Sequence, residues 1–282
     1  MTQPYAVRRA LAHVRGLASG APLDPALRVT LNFHPDRLVR GEPILAVMAQ
    51  DGVYRSQFET GTSNGGLTAH PGGSRWRWES RLFGRAYDAA EPALRPKYGA
   101  LDLHRRPHGG APRFGSAHLR LAAHTLERTT FCFPDSVFEP EHFGTAAAFA
   151  LPPLEADHPL DVLPDDPLDD YVEAHVHGVL DLAADVEALV LDPGYRGTDV
   201  EADAARMGVL VEWHPGYRLG VETLRAHPDY RGAEFVALGE ALAVDGVLTP
   251  QLIGAASRAG GHDGQSLKRV WHYVARFGAL PG

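Results

Sequence analysis

The hydrophobic and polar positions along the chain predict a strand-rich middle between two helical ends. Near the start, Leu11, Val14 and Leu17 recur at helical spacing before Gly20, which predicts a helix in the first twenty residues. Further on, apolar and β-branched runs bounded by Pro, Gly and Asp predict short strands. These strands are expected over 29–33, 44–48, 53–58, 98–103, 114–121, 128–133, 171–179 and 188–191, with a hairpin turn at 50–52.

After residue 200 the pattern becomes helical. The clearest helices are predicted over 249–258 and 265–277; in the second, Leu267, Val270, Trp271 and Val274 share one face. Strands in the middle of the chain and helices at its ends indicate an α+β fold. We therefore expect a single domain over 1–282, with an N-terminal helix at 1–27, a core at 28–200 and a helical part at 201–282 that covers the sheet.

Composition narrows the classes of protein that fit this pattern. The 282 residues carry a net charge of −8, which argues against nucleic acid or an anionic membrane as the main partner. No apolar run approaches the roughly 20 residues that span a bilayer, and we expect no standard signal peptide. One cysteine excludes an intramolecular disulfide and a multi-cysteine metal site, so the placement of the 15 histidines becomes the main question.

The segment 171–177 alternates strictly between polar and apolar side chains. Because side chains of a strand alternate between its faces, Glu173, His175 and His177 should share one face, about 7 Å apart along the strand. The opposite face should pack on the core. Two interpretations remain open, a half-exposed strand with a polar outer face and a strand that lines a catalytic cleft.

Two further segments combine polar side chains with Pro or Gly residues that interrupt regular secondary structure. Asn32-Phe33-His34-Pro35-Asp36 lies where a strand runs into a loop, a common place for groups that face a ligand. Alternatively, Asn32 and Asp36 cap a short helix that follows. The segment 58–66 is rich in Gly, which allows close backbone approach to a ligand. Its Thr62, Ser63 and Asn64 offer neutral hydrogen-bonding groups that suit a nucleotide or a sugar. A glycine-rich hairpin loop is the alternative there.

Two chemistries fit these segments. In one, the Glu173 carboxylate stabilises the positive charge that builds on a sugar as its glycosidic bond breaks. In the other, His34, His175 and His177 bind a metal ion that activates water for hydrolysis. Spacing alone does not choose between them, and a non-catalytic binding protein on the same fold is a third possibility.

The order of the motifs gives a resemblance that spans roughly residues 28–200. The chain resembles a bacterial family catalogued as uncharacterised, which is similar to the CteC-type effectors, ADP-ribosyltransferases that modify a threonine of ubiquitin. Some of its elements also resemble phage-head-associated ADP-ribosyltransferase domains. The resemblance rests on the elements at 32–36, 58–65, 97–99, 113–116, 128–131, 135–136 and 171–178.

This resemblance implies an ADP-ribosyltransferase-like split antiparallel β-sandwich with flanking helices, which binds NAD in its cleft. It implies transfer of ADP-ribose from the substrate NAD to a protein side chain, with release of nicotinamide and without a metal. The implied catalytic residues are Glu173, His175 and Glu59. The implied NAD-binding residues are Asn32, Phe33 and His34 on the adenosine side, and Phe58, Gly61, Thr62, Ser63 and Asn64 nearer the nicotinamide.

The chain also departs from the pattern of known transferases. Thr62-Ser63 only partly matches their Ser-Thr-Ser strand, and Tyr171 stands where arginine-modifying members have Gln or Glu. Arginine is therefore a less favoured acceptor, which leaves threonine or another side chain, with ubiquitin as the candidate target. The resemblance implies a bacterial protein of the cytoplasm, or a secreted toxin-like effector that acts in the host cytosol.

Overall fold

The computed structural model describes residues 3–61, 69–151 and 166–281, and most of its regular structure consists of short strands and helices. The strands are β1 (Val29–Phe33), β2 (Leu38–Val39), β3 (Glu42–Pro43), β4 (Val53–Tyr54), β5 (Lys97–Leu101), β6 (Ala117–Leu121), β7 (Thr129–Phe133), β8 (His142–Thr145), β9 (Val172–Val176), β10 (Leu180–Asp181), β11 (Val186–Leu191), β12 (Val211–Trp213), β13 (Leu219–Gly220) and β14 (Val247–Leu248). The helices are α1 (Tyr5–Arg15), α2 (Ile44–Asp51), α3 (Gln57–Thr60), α4 (Ser74–Leu82), α5 (Leu182–Asp185), α6 (Asp199–Arg206), α7 (Val221–Arg225), α8 (Ala233–Leu242), α9 (Pro250–Ala259) and α10 (Gly264–Phe277).

Eight of the strands form one mixed sheet in the order β12-β11-β6-β1-β5-β9-β7-β8. Neighbouring strands are antiparallel except for the parallel pair β11 and β12. The central strands β1, β9 and β7 are buried along their whole lengths. A large sheet with several flanking helices confirms the α+β class.

The two faces of this sheet differ in chemistry. One face carries the main hydrophobic core, where Leu31, Phe131 and Ala174 pack with Leu45 of α2 and Ala204 of α6. The other face, termed here the polar face, carries hydroxyl, thiol, carboxyl and imidazole groups on neighbouring strands. Its central members are Thr30, Asn32, Tyr98, Thr130, Cys132, Glu173 and His175.

Helices α1 and α4 cover part of the polar face. Ala10 and Val14 of α1 form a small apolar cluster with Leu82, Phe83 and Tyr87 at and after the end of α4. The ring of Phe83 lies edge-on to both imidazoles of the 171–177 segment. The polar row is therefore buried, rather than half-exposed to solvent.

Most of the predicted elements are confirmed, but the expected hairpin at 44–58 is wrong. Residues Ile44–Asp51 form helix α2, only Val53–Tyr54 is a strand, and Gln57–Thr60 forms helix α3. Gly52 does have a positive φ of 67°, but its amide caps the helix by donating to the carbonyl of Met48. A short apolar run is compatible with a buried helix as well as with a strand. The Asp-Gly pair favoured a hairpin in the prediction, but in the structure its glycine ends a helix.

The C-terminal helices α7 to α10 pack around a second hydrophobic cluster that includes Leu224, Val270 and Trp271. Trp271 of α10 also donates from Nε1 to the carbonyls of Pro112 (3.0 Å) and Arg113 (3.1 Å). This contact fixes α10 against the loop before β6. Within the described ranges, no helix is long and apolar enough to cross a membrane.

Candidate functional site

A pocket lies on the polar face above β1, β5 and β9. Two carboxyl groups, Asp135 and Glu173, lie in its wall together with three cationic side chains, Arg75, Arg113 and Lys268. Lys268 comes from α10 and Arg75 from α4, so the sheet and two helices from distant parts of the sequence build the pocket. Charged groups of both signs thus meet in one place, although the chain as a whole is acidic.

Glu173 is held by hydrogen bonds to both carboxylate oxygens. His175 Nε2 donates to Oε1 at 2.7 Å, and the Ser136 hydroxyl donates to Oε2 at 3.2 Å. Burial alone would raise the pKa of Glu173, but the hydrogen bond from His175 and the positive charge of Arg75 outweigh it and lower the pKa. Glu173 is therefore an ionised carboxylate in a fixed orientation, only 6% exposed.

A chain of hydrogen bonds continues from Glu173 into the interior. Thr130 Oγ1 lies 3.2 Å from His175 Nδ1 and 2.8 Å from His177 Nε2, and the Tyr87 hydroxyl lies 2.7 Å from His177 Nδ1. With Glu173 ionised, one direction satisfies every group, since Tyr87 donates to His177, His177 to Thr130, Thr130 to His175, and His175 to Glu173. The chain therefore fixes the ring that holds the carboxylate.

Asp135 is the second carboxyl group of the pocket. The Tyr171 hydroxyl donates to its Oδ2 at 2.5 Å, and the backbone amide of Val137 donates to its Oδ1 at 2.7 Å. Burial and the negative charge of Glu173 raise the pKa of Asp135. Two carboxyl groups whose pKa values are shifted in opposite directions are typical of sites that separate charge stabilisation from proton transfer.

Aromatic rings form much of the remaining wall. The Arg75 guanidinium lies 4.3 Å from the ring centre of Tyr98 and 4.9 Å from that of Trp78. Phe114 and Tyr171 meet edge to face, with ring centres 5.6 Å apart. Flat apolar surfaces beside cations suit a ligand that combines ring systems with negative charge.

A buried ion pair supports Tyr98. Its hydroxyl donates to Glu79 Oε1 at 3.1 Å, and Arg95 Nη1 pairs with Glu79 Oε2 at 2.5 Å. Arg95 also donates to the carbonyl of Tyr87 at 2.7 Å. Glu79 and Arg95 are each almost fully buried, so this pair links helix α4 to β5 behind the pocket wall.

The structure brings three of the predicted site residues together, Asn32, Glu173 and His175. Asn32 lines the pocket, but its side chain is occupied by the loop before β6. Its amide donates to the carbonyl of His108 at 2.9 Å, and its oxygen accepts from the backbone amide of Ala111 at 3.3 Å. Asn32 therefore shapes the pocket through this loop.

Phe33 and His34 lie away from Glu173. Phe33 points to the opposite face of the sheet, where it joins the main core. His34 is half-buried with its ring edge-on to Trp271, and burial with the nearby Arg37 lowers the pKa of His34 to about 3. The three-histidine metal set of His34, His175 and His177 is thus not assembled, since His34 belongs to the contact with α10.

The helix α3 residues have local structural roles. Glu59 completes a capping box with Ser56, accepting from its backbone amide at 2.7 Å, and also pairs with Arg55. The ring of Phe58 packs under the Arg95 guanidinium at 4.0 Å. The structure does not bring Glu59 or Phe58 into the wall of the Glu173 pocket. Gly61 ends the helix with a φ of 66°, and Thr62, Ser63 and Asn64 lie outside the described residues.

The pocket wall includes Arg75, Trp78, Asp135 and Lys268, none of which was predicted from the sequence as a site residue. Arg75 and Trp78 stand three apart, a spacing that would have placed them on one face of a predicted helix. The resemblance includes Asp135 but assigns it no role, and the structure also makes it the cap of the short helical turn at 136–138. Lys268 carries no such signal, because only the packing of α10 brings it to the sheet.

A family model described as "Protein of unknown function (DUF3626)" matches residues 28–152 and 154–277. The match covers most of the chain, including every strand of the large sheet and helix α10. The chain therefore belongs to this family. No curated protein matches it.

Proposed function

We propose that this protein is an NAD-dependent mono-ADP-ribosyltransferase with an ADP-ribosyltransferase-like core. The observation that carries the proposal is the Glu173 carboxylate, ionised and fixed at both oxygens in a pocket with aromatic walls and cations. A fixed carboxylate in a partly desolvated pocket is the group that stabilises a developing oxocarbenium ion.

The pocket chemistry matches the parts of NAD. Its pyrophosphate is anionic, and Arg75, Arg113 and Lys268 of the pocket wall carry positive charge, although Arg113 is also paired with Asp169. The nicotinamide and adenine rings need flat apolar surfaces, which Trp78 and Tyr98 offer. The pyrophosphate is held by these local cations despite the net charge of −8.

The resemblance to CteC-type transferases adds support, because several of its motifs meet in this pocket. Tyr98-Gly99, Arg113, Asp135-Ser136 and Glu173 come from four separate segments of the chain and all line the same cavity. The sheet is predominantly antiparallel and carries Glu173 on the inner strand β9, but its eight strands form one mixed sheet and not the split antiparallel β-sandwich that the resemblance implies.

In the proposed reaction, the bond between C1′ of the nicotinamide ribose and the nicotinamide nitrogen breaks. Nicotinamide leaves with the electron pair of that bond, and Glu173 stabilises the positive charge left on the ribose. An acceptor hydroxyl then forms the new bond to C1′. Its proton passes to Asp135, whose raised pKa makes it the better proton acceptor of the two carboxylates.

The proposed acceptor is a protein side chain, with a threonine of ubiquitin as the first candidate. Beside the pocket, Val137 and Phe138 expose about half of their surfaces, 48% and 54%. An apolar rim of this kind suits contact with a protein better than with a small polar acceptor. We propose that such a protein acts in the bacterial cytoplasm or, as a secreted effector, in a host cell.

Incubation of the protein with NAD and ubiquitin tests the proposal. We expect release of nicotinamide and a gain in the mass of ubiquitin, or of another protein in a lysate, by one ADP-ribose. Tandem mass spectrometry then identifies the acceptor side chain. The proposal is overturned if NAD stays intact and no protein in the lysate gains ADP-ribose.

Lys268 gives the proposal a pH signature. No described residue forms an ion pair with Lys268, and burial with the nearby Arg113 lowers its pKa to about 8. Above that pH the side chain loses the charge that attracts the pyrophosphate, so we expect kcat/KM for NAD to fall as the pH rises through about 8. Replacement by Arg, which stays charged, should remove this step. An unchanged profile in Lys268→Arg would contradict the assigned role.

A further inference from the structure

The polar face also brings three different metal-ligating groups to one point. Cys132 Sγ lies 3.9 Å from Glu173 Oε1 and 3.9 Å from His175 Nε2, and these two atoms are 2.7 Å apart. All three side chains are buried on the adjacent strands β7 and β9. Among the described residues, these three side chains form the one group of metal-ligating residues whose ligand atoms all lie within 4.8 Å of one another.

The three distances are close to those of a zinc site, and only the separation between Glu173 Oε1 and His175 Nε2 must widen when the ion replaces the hydrogen bond between them. Zinc binds sulfur at about 2.3 Å and nitrogen or carboxylate oxygen at about 2.0–2.2 Å. An ion at these bond lengths from Cys132 Sγ, Glu173 Oε1 and His175 Nε2 lies about 0.6 Å from the plane that the three atoms define. An ion slightly above the plane of three ligands keeps a fourth position free, as in open tetrahedral sites.

The hydrogen-bond chain behind His175 can support a bound ion. A histidine that ligates through Nε2 must carry its proton on Nδ1 and donate it to a neighbour. Thr130 Oγ1 is that neighbour, at 3.2 Å, and it can turn its own hydroxyl hydrogen toward His177 Nε2. His177 then donates from Nδ1 to Tyr87 Oη, so the three hydrogen bonds between His175 and Tyr87 reverse, and the bonds to the ion replace the hydrogen bond between His175 and Glu173.

We propose that Cys132, Glu173 and His175 form a binding site for a thiophilic divalent cation, Zn²⁺, that switches off the pocket. The ion reaches the site through the pocket that Glu173 lines, and coordination releases the Cys132 thiol proton to solvent. A carboxylate bound to zinc no longer offers its negative charge to a ribosyl cation. The binding site stands on geometry alone, whereas the inhibition rests on the proposed transferase function.

Cobalt(II) titration of the purified protein tests the site directly, because a cobalt–thiolate bond gives a near-ultraviolet charge-transfer band. The chain has one cysteine, so such a band can arise only from Cys132. We expect the band to saturate at one Co²⁺ per chain and to disappear when Zn²⁺ is added. Cys132→Ser should abolish it, and His175→Ala and Glu173→Gln should each weaken Co²⁺ binding at least tenfold.

Absence of the band, or a band of equal affinity in His175→Ala, would overturn the proposed site whatever the protein does with NAD. A separate assay tests inhibition. If the protein turns over NAD, Zn²⁺ should inhibit the wild type at least tenfold more strongly than Cys132→Ser, and equal inhibition would overturn the switch. A cobalt band in a protein that never consumes NAD would leave the metal site standing and count against the transferase function.

Discussion

Replacing Glu173 by Gln is expected to lower kcat for nicotinamide release from NAD by about 10²–10³-fold, or about 2.7–4 kcal/mol of transition-state stabilisation. Gln has nearly the same shape and can still accept the hydrogen bond from His175. The substitution therefore removes the negative charge while it keeps the packing. Its effect should appear in the chemical step, because the charge matters most when the ribose becomes cationic.

The KM of this variant separates a catalytic role from a structural one. In the proposed complex, cations contact the pyrophosphate and aromatic side chains contact the rings, so we expect KM for NAD to stay within a few-fold of the wild-type value. Glu139→Gln is a matched control, because it makes the same chemical change at a glutamate that is exposed and pairs with Arg81. An equal fall in rate for both variants, or no fall for Glu173→Gln, would contradict the assigned role.

The sequence predicted the polar strand at 171–177 because its pattern is local. Strict alternation over 171–177 is enough to place Glu173 and His175 on one face, and the structure puts Glu173 in the pocket wall with His175 hydrogen-bonded behind it. The same pattern did not reveal that this face is buried. Burial depends on Phe83 and Tyr87, which come from a segment about 90 residues earlier in the chain.

Other parts of the site depend on packing between distant elements. His34 and Asn32 are only two residues apart, but a loop after β1 turns His34 toward Trp271 of α10 while Asn32 stays over the sheet. Lys268 reaches the pocket because Trp271, on the same helix, hydrogen-bonds the loop at 112–113. No short-range pattern in the sequence encodes such contacts, so these residues could not be placed from the sequence.

Replacing Arg95 by Met is expected to lower the free energy of unfolding by about 3–5 kcal/mol, the usual cost of leaving one partner of a buried ion pair alone. Arg95 is 4% exposed and Glu79 is fully buried, so water cannot replace the lost partner. Urea unfolding monitored by circular dichroism measures the change. Arg81→Met, which breaks the exposed pair with Glu139, should change stability by no more than about 1 kcal/mol.

The loss in Arg95→Met should also depend on pH. Burial raises the pKa of Glu79 to about 7, and Arg95 opposes that rise, so without Arg95 the pKa moves higher still. At pH values between the pKa of Glu79 in the unfolded state and its raised pKa in the folded state, the folded state binds more protons than the unfolded state. The free energy of unfolding therefore falls as the pH rises through this range. The loss should be larger at about pH 8.5 than at about pH 6, and Glu79→Gln added to Arg95→Met should remove this dependence. A loss that is equal at both pH values would show that Arg95 stabilises the fold by packing rather than by compensating the buried carboxylate.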